Sequence, residues 1–118
     1  MPGRLIVLAA LAAFLLALPA GALAATQPVP VKLEGVVFNG KANARATLKL
    51  GGSLRFVWED GFHNVLTSKA PAKANKVNSG NPSEEHKPIV FKPAKKGTYV
   101  FYCAPHKALG MVLTLTVK

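Results

Sequence analysis

Short runs in which apolar and polar residues alternate recur along this chain, and after its first two dozen residues no apolar period of 3.6 is sustained. Leu54, Phe56 and Trp58 alternate, as do Tyr99, Phe101 and Cys103, and then Met111, Leu113, Leu115 and Val117. A period of two puts every second side chain on one face of a strand, so each run can bury one face and leave the other wet. Asn39-Gly40, Gly51-Gly52, Asp60-Gly61 and Pro93 to Gly97 punctuate the runs with turn residues. Many short strands at this spacing predict an all-β antiparallel β-sandwich. Ser68 to Pro88 shows no period and is expected to be irregular, with one short helical turn at most.

The N-terminus follows a different rule. Arg4 leads into Leu5 to Leu18, an uninterrupted apolar run, and then into Ala22-Leu23-Ala24, whose small residues suit a signal peptidase. As a helix the run would reach about 21 Å, short of the roughly 30 Å of a bilayer core. Residues 1–24 are therefore expected to be a signal peptide and 25–118 the folded domain. The alternative is an uncleaved anchor, since Leu5 to Ala25 carries no charge. A transit peptide would be rich in Ser and Arg, yet the first Ser is Ser53. Export to the periplasm or another extracytoplasmic space is expected, with no membrane insertion after cleavage.

In an oxidising compartment a small domain often adds disulfides, and this chain has one Cys. Cys103 must be an intermolecular bridge, a reactive thiol, a buried inert thiol or a thiolate on a metal. Its neighbours decide between them. Cys103, His106 and Met111 fall within nine positions between two predicted strands. A thiolate, an imidazole and a thioether are the soft and borderline donors that suit copper as it cycles between Cu(I) and Cu(II). Alone, Cys103 would read as a small buried hydrophobe, His106 as a loop histidine and Met111 as core filler; the joint spacing favours metal.

His63 is 40 residues from Cys103 in sequence, too distant for a local chelate. If the fold joins them, the set becomes two His, one Cys and a weak axial Met, the arrangement of blue-copper electron-transfer sites. The pattern Cys-x₂-His-x₄-Met, with His63-Asn64 upstream, Gly97-Thr98-Tyr99 leading in and Pro105 before the second His, resembles the plastocyanin and pseudoazurin group of cupredoxins. The resemblance runs from Val29 to Val117. It implies a Greek-key β-sandwich with one type 1 copper ion near one end, held by His63, Cys103, His106 and Met111. His106 would lie at the surface as the electron route, inside an apolar rim of Pro105, Ala108 and Leu109. Asn64 would tie the two ligand-bearing loops together, by backbone bonding alone because Ala104 offers no side chain.

The remaining expectations concern partners and bystanders. Lys and Arg number 15 against 5 acidic residues, giving +10 overall and +9 without Arg4. Such an excess steers encounters toward acidic surfaces. The expected role is that of a monomeric exported one-electron carrier between redox proteins with acidic docking surfaces, with Lys107 beside the electron port and no part played by nucleic acid. No acid/base pair suggests an enzyme. The rival readings are a periplasmic copper carrier or buffer on the same ligands, and a zinc-binding or thiol-reactive module. Phe56 and Trp58 are expected in the core, Tyr102 on the outer face beside Cys103, and His86 in solvent and not a ligand.

Overall fold

A computed structural model describes residues 27–118. The expected signal peptide, residues 1–24, and the first two residues of the expected domain lie outside the described residues. Eight strands form two four-stranded sheets packed face to face. One sheet holds β1 (Val29–Glu34), β2 (Val37–Phe38), β4 (Leu54–Trp58) and β6 (Ile89–Phe91), in the order β2-β1-β4-β6. The other holds β3 (Ala44–Leu48), β5 (Leu66–Lys69), β7 (Gly97–Tyr102) and β8 (Val112–Val117), in the order β3-β8-β7-β5. Among the described residues no helix is long and apolar enough to cross a membrane.

The alternation in sequence is the alternation in burial. Val31 and Leu33 of β1, Leu54 and Phe56 of β4, Tyr99 and Phe101 of β7, and Leu113 and Leu115 of β8 are all fully buried between the sheets. Each such side chain contributes about 1.5–3 kcal/mol on burial. Phe101 meets both Phe56 and Phe91 edge-on at 5.2 Å between ring centroids. The buried Tyr99 keeps its polar end satisfied by donating from its hydroxyl to the Lys95 carbonyl at 2.7 Å.

The pairing is not wholly antiparallel. β1 runs parallel to β4 and β3 parallel to β8, while the other four pairs are antiparallel. Both parallel pairs join strands whose connection crosses between the sheets, so no hairpin constrains their direction. Trp58 meets the core expectation in part: it packs half-buried against the core cluster, and its ring stacks on the exposed His86 at 4.5 Å. Before β5, residues 63–65 pair outside the two sheets, with residues 79 and 83. The segment from 70 to 88 holds no helix, only a turn from Pro71 to Ala74 and isolated bridges.

Candidate metal centre

Two neighbouring strands deliver two of the soft side chains. β7 and β8 pair through Phe101↔Leu113 and Tyr102↔Val112, and the next pair outward is Cys103 and Met111, joined by the Cys103 N–H to the Met111 carbonyl at 3.1 Å. Both continue the inward register of their strands and both are fully buried. Between them the 3₁₀ turn Ala104–Leu109 carries His106, and Gly110 ends it with a left-handed φ of 92°. Any side chain at Gly110 would put its Cβ 2.8 Å from that of Ala42, so the close return of this loop requires glycine.

His63 arrives from the other side. Its backbone N–H and carbonyl both bond to Ser83, at 3.0 and 2.9 Å, which pins an otherwise free stretch before β5. The side chain is fully buried, and its Nε2 lies 2.6 Å from the Asp60 carbonyl. A carbonyl only accepts, so Nε2 carries the hydrogen and Nδ1 keeps its lone pair. That Nδ1 stands 3.6 Å from Cys103 Sγ, and the Nδ1 of His106 stands at the same distance on its own side. The three donor atoms lie within 4.8 Å of one another.

These separations fit a metal. A first-row ion about 2.3 Å from a thiolate and about 2.0 Å from an imidazole separates the two donors by roughly 3.6 Å at near-tetrahedral to trigonal angles. The His63 lone pair is already aimed, and the fold brings this distant histidine to Cys103 and His106. The donor set of two imidazoles, one thiol and a buried thioether suits copper above harder ions.

Residues 34–118 match the family described as copper binding proteins, plastocyanin/azurin family. The chain belongs to that family. Among proteins similar to this plastocyanin/azurin member, a pseudoazurin from Methylorubrum extorquens is 41% identical over 76 residues, covering 63% of this chain and 49% of its own. A plastocyanin from Prochlorothrix hollandica is 36% identical over 76 residues, covering 61% of this chain and 58% of its own. The chain thus spans about half the length of the curated relatives it matches. The crystal structure of pseudoazurin from Methylobacterium extorquens AM1 superposes with a TM-score of 0.61 at 36% identity, over 77% of this chain and 75% of that one. Pseudoazurin from Hyphomicrobium denitrificans gives the same score and coverage at 28% identity.

In this cupredoxin the four expected side chains are arranged as a type 1 copper site. Asn64 spans the two loops: its Oδ1 accepts from the Ala104 N–H at 2.8 Å, and its Nδ2 donates to the Gly80 carbonyl at 3.1 Å. The link to residue 104 is backbone on that side, as Ala104 demanded. His86 stays in solvent, away from the trio. Tyr102 lies on the outer face with the Lys107 ammonium 4.5 Å above its ring. Sequence reasoning gave neither Gly61 nor Trp58 a part in positioning His63. The first makes room for the His63 ring, and the second donates from its indole N–H to the His63 carbonyl at 3.1 Å. The Asp60-Gly61 turn signal was the available clue to the first; the alternation marked Trp58 as an inward residue but not its bond to residue 63.

Burial sets the protonation of the metal-free site. It holds His63 below its ordinary 6.5, against the opposing pull of the Asp60 carbonyl, and His106 pushes the same way as burial. It also lifts the Cys103 thiol above its ordinary 9.0, while the backbone N–H groups of Asn64 and His106 resist. The consequence for stability has two signs. Below pH 6.5 the unfolded chain takes up a proton that buried His63 refuses; above 9.0 the unfolded chain loses a proton that Cys103 keeps. Metal-free protein should therefore be most stable between these values and lose stability on both sides. Denaturant titrations of metal-free wild type and His63→Gln should show a flatter acid limb in the variant. An unchanged limb would assign the acid loss to other groups.

Proposed function

We propose that the protein is an exported one-electron carrier in which His63, Cys103, His106 and Met111 hold a single copper ion. The observation that carries this reading is the trio of His63, Cys103 and His106, with both imidazole Nδ1 atoms 3.6 Å from one buried sulfur. Bound copper supplies one-electron chemistry between Cu(I) and Cu(II). The chain's own groups keep the donor positions constant while it does so. Asp60 fixes the His63 tautomer, Asn64 clamps the loop of Cys103 to that of His63, and the β7–β8 ladder holds Cys103 opposite Met111.

His106 is the half-buried member of the trio, and Pro105, Ala108 and Leu109 around it are exposed, Leu109 by 60%. A redox partner docks on this apolar rim, in a small and short-lived interface. Lys107 beside His106 and Lys41 beyond Gly110 offer contacts to an acidic partner. The working unit is a monomer, and the reading of residues 1–24 as a signal peptide supports a periplasmic or other extracytoplasmic location. A carrier role rather than catalysis is favoured because His63, Cys103 and Met111 are fully buried and His106 alone of the four is half-exposed.

The test has two stages. Adding Cu(II) to metal-free protein should produce an intense blue colour, which a zinc or thiol-reactive module would not give. Electron self-exchange and reduction by a small cytochrome should then be fast; tight binding with sluggish exchange would support a copper buffer instead. Met111→Gln should retain copper and colour while shifting the reduction potential, because the axial ligand tunes it. An unchanged potential would reduce Met111 to packing.

A further inference from the structure

The densest group of lysines in this protein lies at the end opposite the electron port. β7 and β8 reach the metal centre at Cys103 and Met111, so Gly97 and Val117, which pair with each other, mark the opposite pole. Lys118 follows Val117, and Lys49 is placed beside it by the Leu50 N–H to the Lys118 carbonyl and the Lys118 N–H to the Leu48 carbonyl, both 2.9 Å. β6 pairs Phe91 with Leu54 at the far end of β4, which brings Lys92, Lys95 and Lys96 to the same pole. Lys73 joins them through Asn75, whose side chain bonds the Lys92 carbonyl at 2.7 Å. All six lysines are exposed.

The acidic residues do the reverse. Glu34, Glu59, Asp60, Glu84 and Glu85, the whole complement, sit at the metal end. Glu34 and Glu59 close β1 and β4, Asp60 accepts from the Gly35 N–H at 2.6 Å, and Glu84 and Glu85 follow the Ser83 that pairs with His63. Lys41, Lys87 and Lys107 share that end and offset three of the five acidic charges, while the six lysines of the opposite pole face no carboxylate side chain.

We propose that the lysine pole is a docking surface for an anionic phospholipid membrane, which turns the metal end outward toward redox partners. A strand from Gly97 to Cys103 spans about 20 Å, so a redox partner bound at the lysine pole would not approach the copper ligands. Clustered lysines without carboxylates are what attract anionic headgroups, each side chain adding to the last. The exposed Leu50, at the rim of a 410 Å³ cleft lined by residues 47–52, gives this pole an apolar tip between its lysines. Topology adds a second argument. β1 begins here, with the Val29 N–H on the Ser53 carbonyl at 2.9 Å, so the residues that precede Gln27 join the domain at this pole. Kept as an anchor, the apolar run Leu5 to Leu18 would press this same face to a bilayer; cleaved, the lysines act alone.

The test mixes full-length protein with sedimenting vesicles of phosphatidylcholine alone, or with about a third phosphatidylglycerol, and reads the ratio of the two affinities. The ratio cancels any contribution from the apolar run. Wild type should favour the anionic vesicles at least tenfold at low salt and lose that preference as salt rises. The triple variant K49E/K95E/K96E should bring the ratio down by about a hundredfold or to unity, whereas K41E/K107E at the metal end should leave it near wild type. Far-UV circular dichroism checks that the variants fold. A wild-type ratio of one, or an equal fall in both variants, would overturn the proposal. So would retention on heparin or an acidic protein with no preference for anionic vesicles, which would give the pole to a soluble polyanion.

Discussion

Cys103→Ser should abolish the blue colour of the copper-loaded protein and leave the sandwich folded. The colour of a blue-copper site belongs to the bond between Cu(II) and a thiolate, and serine offers a hard, protonated oxygen in its place. The fold should tolerate the change. Residue 103 is held by its backbone to Met111, and the space its side chain fills differs by one atom. The new hydroxyl is buried, and its nearest polar neighbours are the Nδ1 atoms of His63 and His106, 3.6 Å from the sulfur it replaces, so an imidazole must move inward to accept its hydrogen. A stability loss of about 1 kcal/mol is expected, small beside the complete loss of the absorption band. Copper affinity should fall steeply because the remaining imidazoles bind without the soft anionic donor. Visible absorption and a thermal melt on the same sample separate the two effects. Persistent colour would remove Cys103 from the ligand set, whereas lost colour with a lost melting transition would call for Cys103→Ala as the second variant.

The parts of this site that were legible in the sequence are those fixed by period and local spacing. Tyr99, Phe101 and Cys103 alternate into one face of β7, and Met111, Leu113 and Leu115 into the same face of β8, so placing Cys103 and Met111 on adjacent strands follows from a period of two. His106 needed only the short turn between them. His63 was different in kind: nothing local to Phe62-His63-Asn64 demands contact with residue 103, and its place came through resemblance. The parallel pairings of β1 with β4 and β3 with β8 were illegible because strand direction across a crossover leaves no mark in the alternation. The alternation placed Trp58 against the core, where it packs half-buried, but its stacking on His86 was illegible because that contact comes from a segment with no periodicity. The net charge was countable, but its division between the poles depends on which strand ends lie together.

Gly61→Ala should weaken copper binding by about ten- to a hundredfold, although residue 61 supplies no ligand atom. Two separate costs meet at this glycine. Its φ of +85° is one that side chains rarely adopt, and a Cβ there would stand 2.8 Å from Nε2 of His63 and 3.3 Å from the Gly35 carbonyl oxygen. The first cost is backbone strain of about 1–3 kcal/mol, paid by the folded state with or without metal. The second falls on the imidazole, which must tilt away and loosen the 2.6 Å hydrogen bond to the Asp60 carbonyl that fixes its tautomer and aim. Gly51→Ala isolates the first cost from the second. Its φ is +101° with nothing within 4 Å of the added Cβ, and it lies at the lysine pole, so it should lose similar stability and keep wild-type copper affinity. Competition titrations against a chelator, run beside denaturant unfolding of the metal-free proteins, give both quantities for both variants. Equal copper affinity in the two would mean that the ring of His63 has room to yield, and that its position is set by the Ser83 bridge rather than by the cramped turn at Gly61.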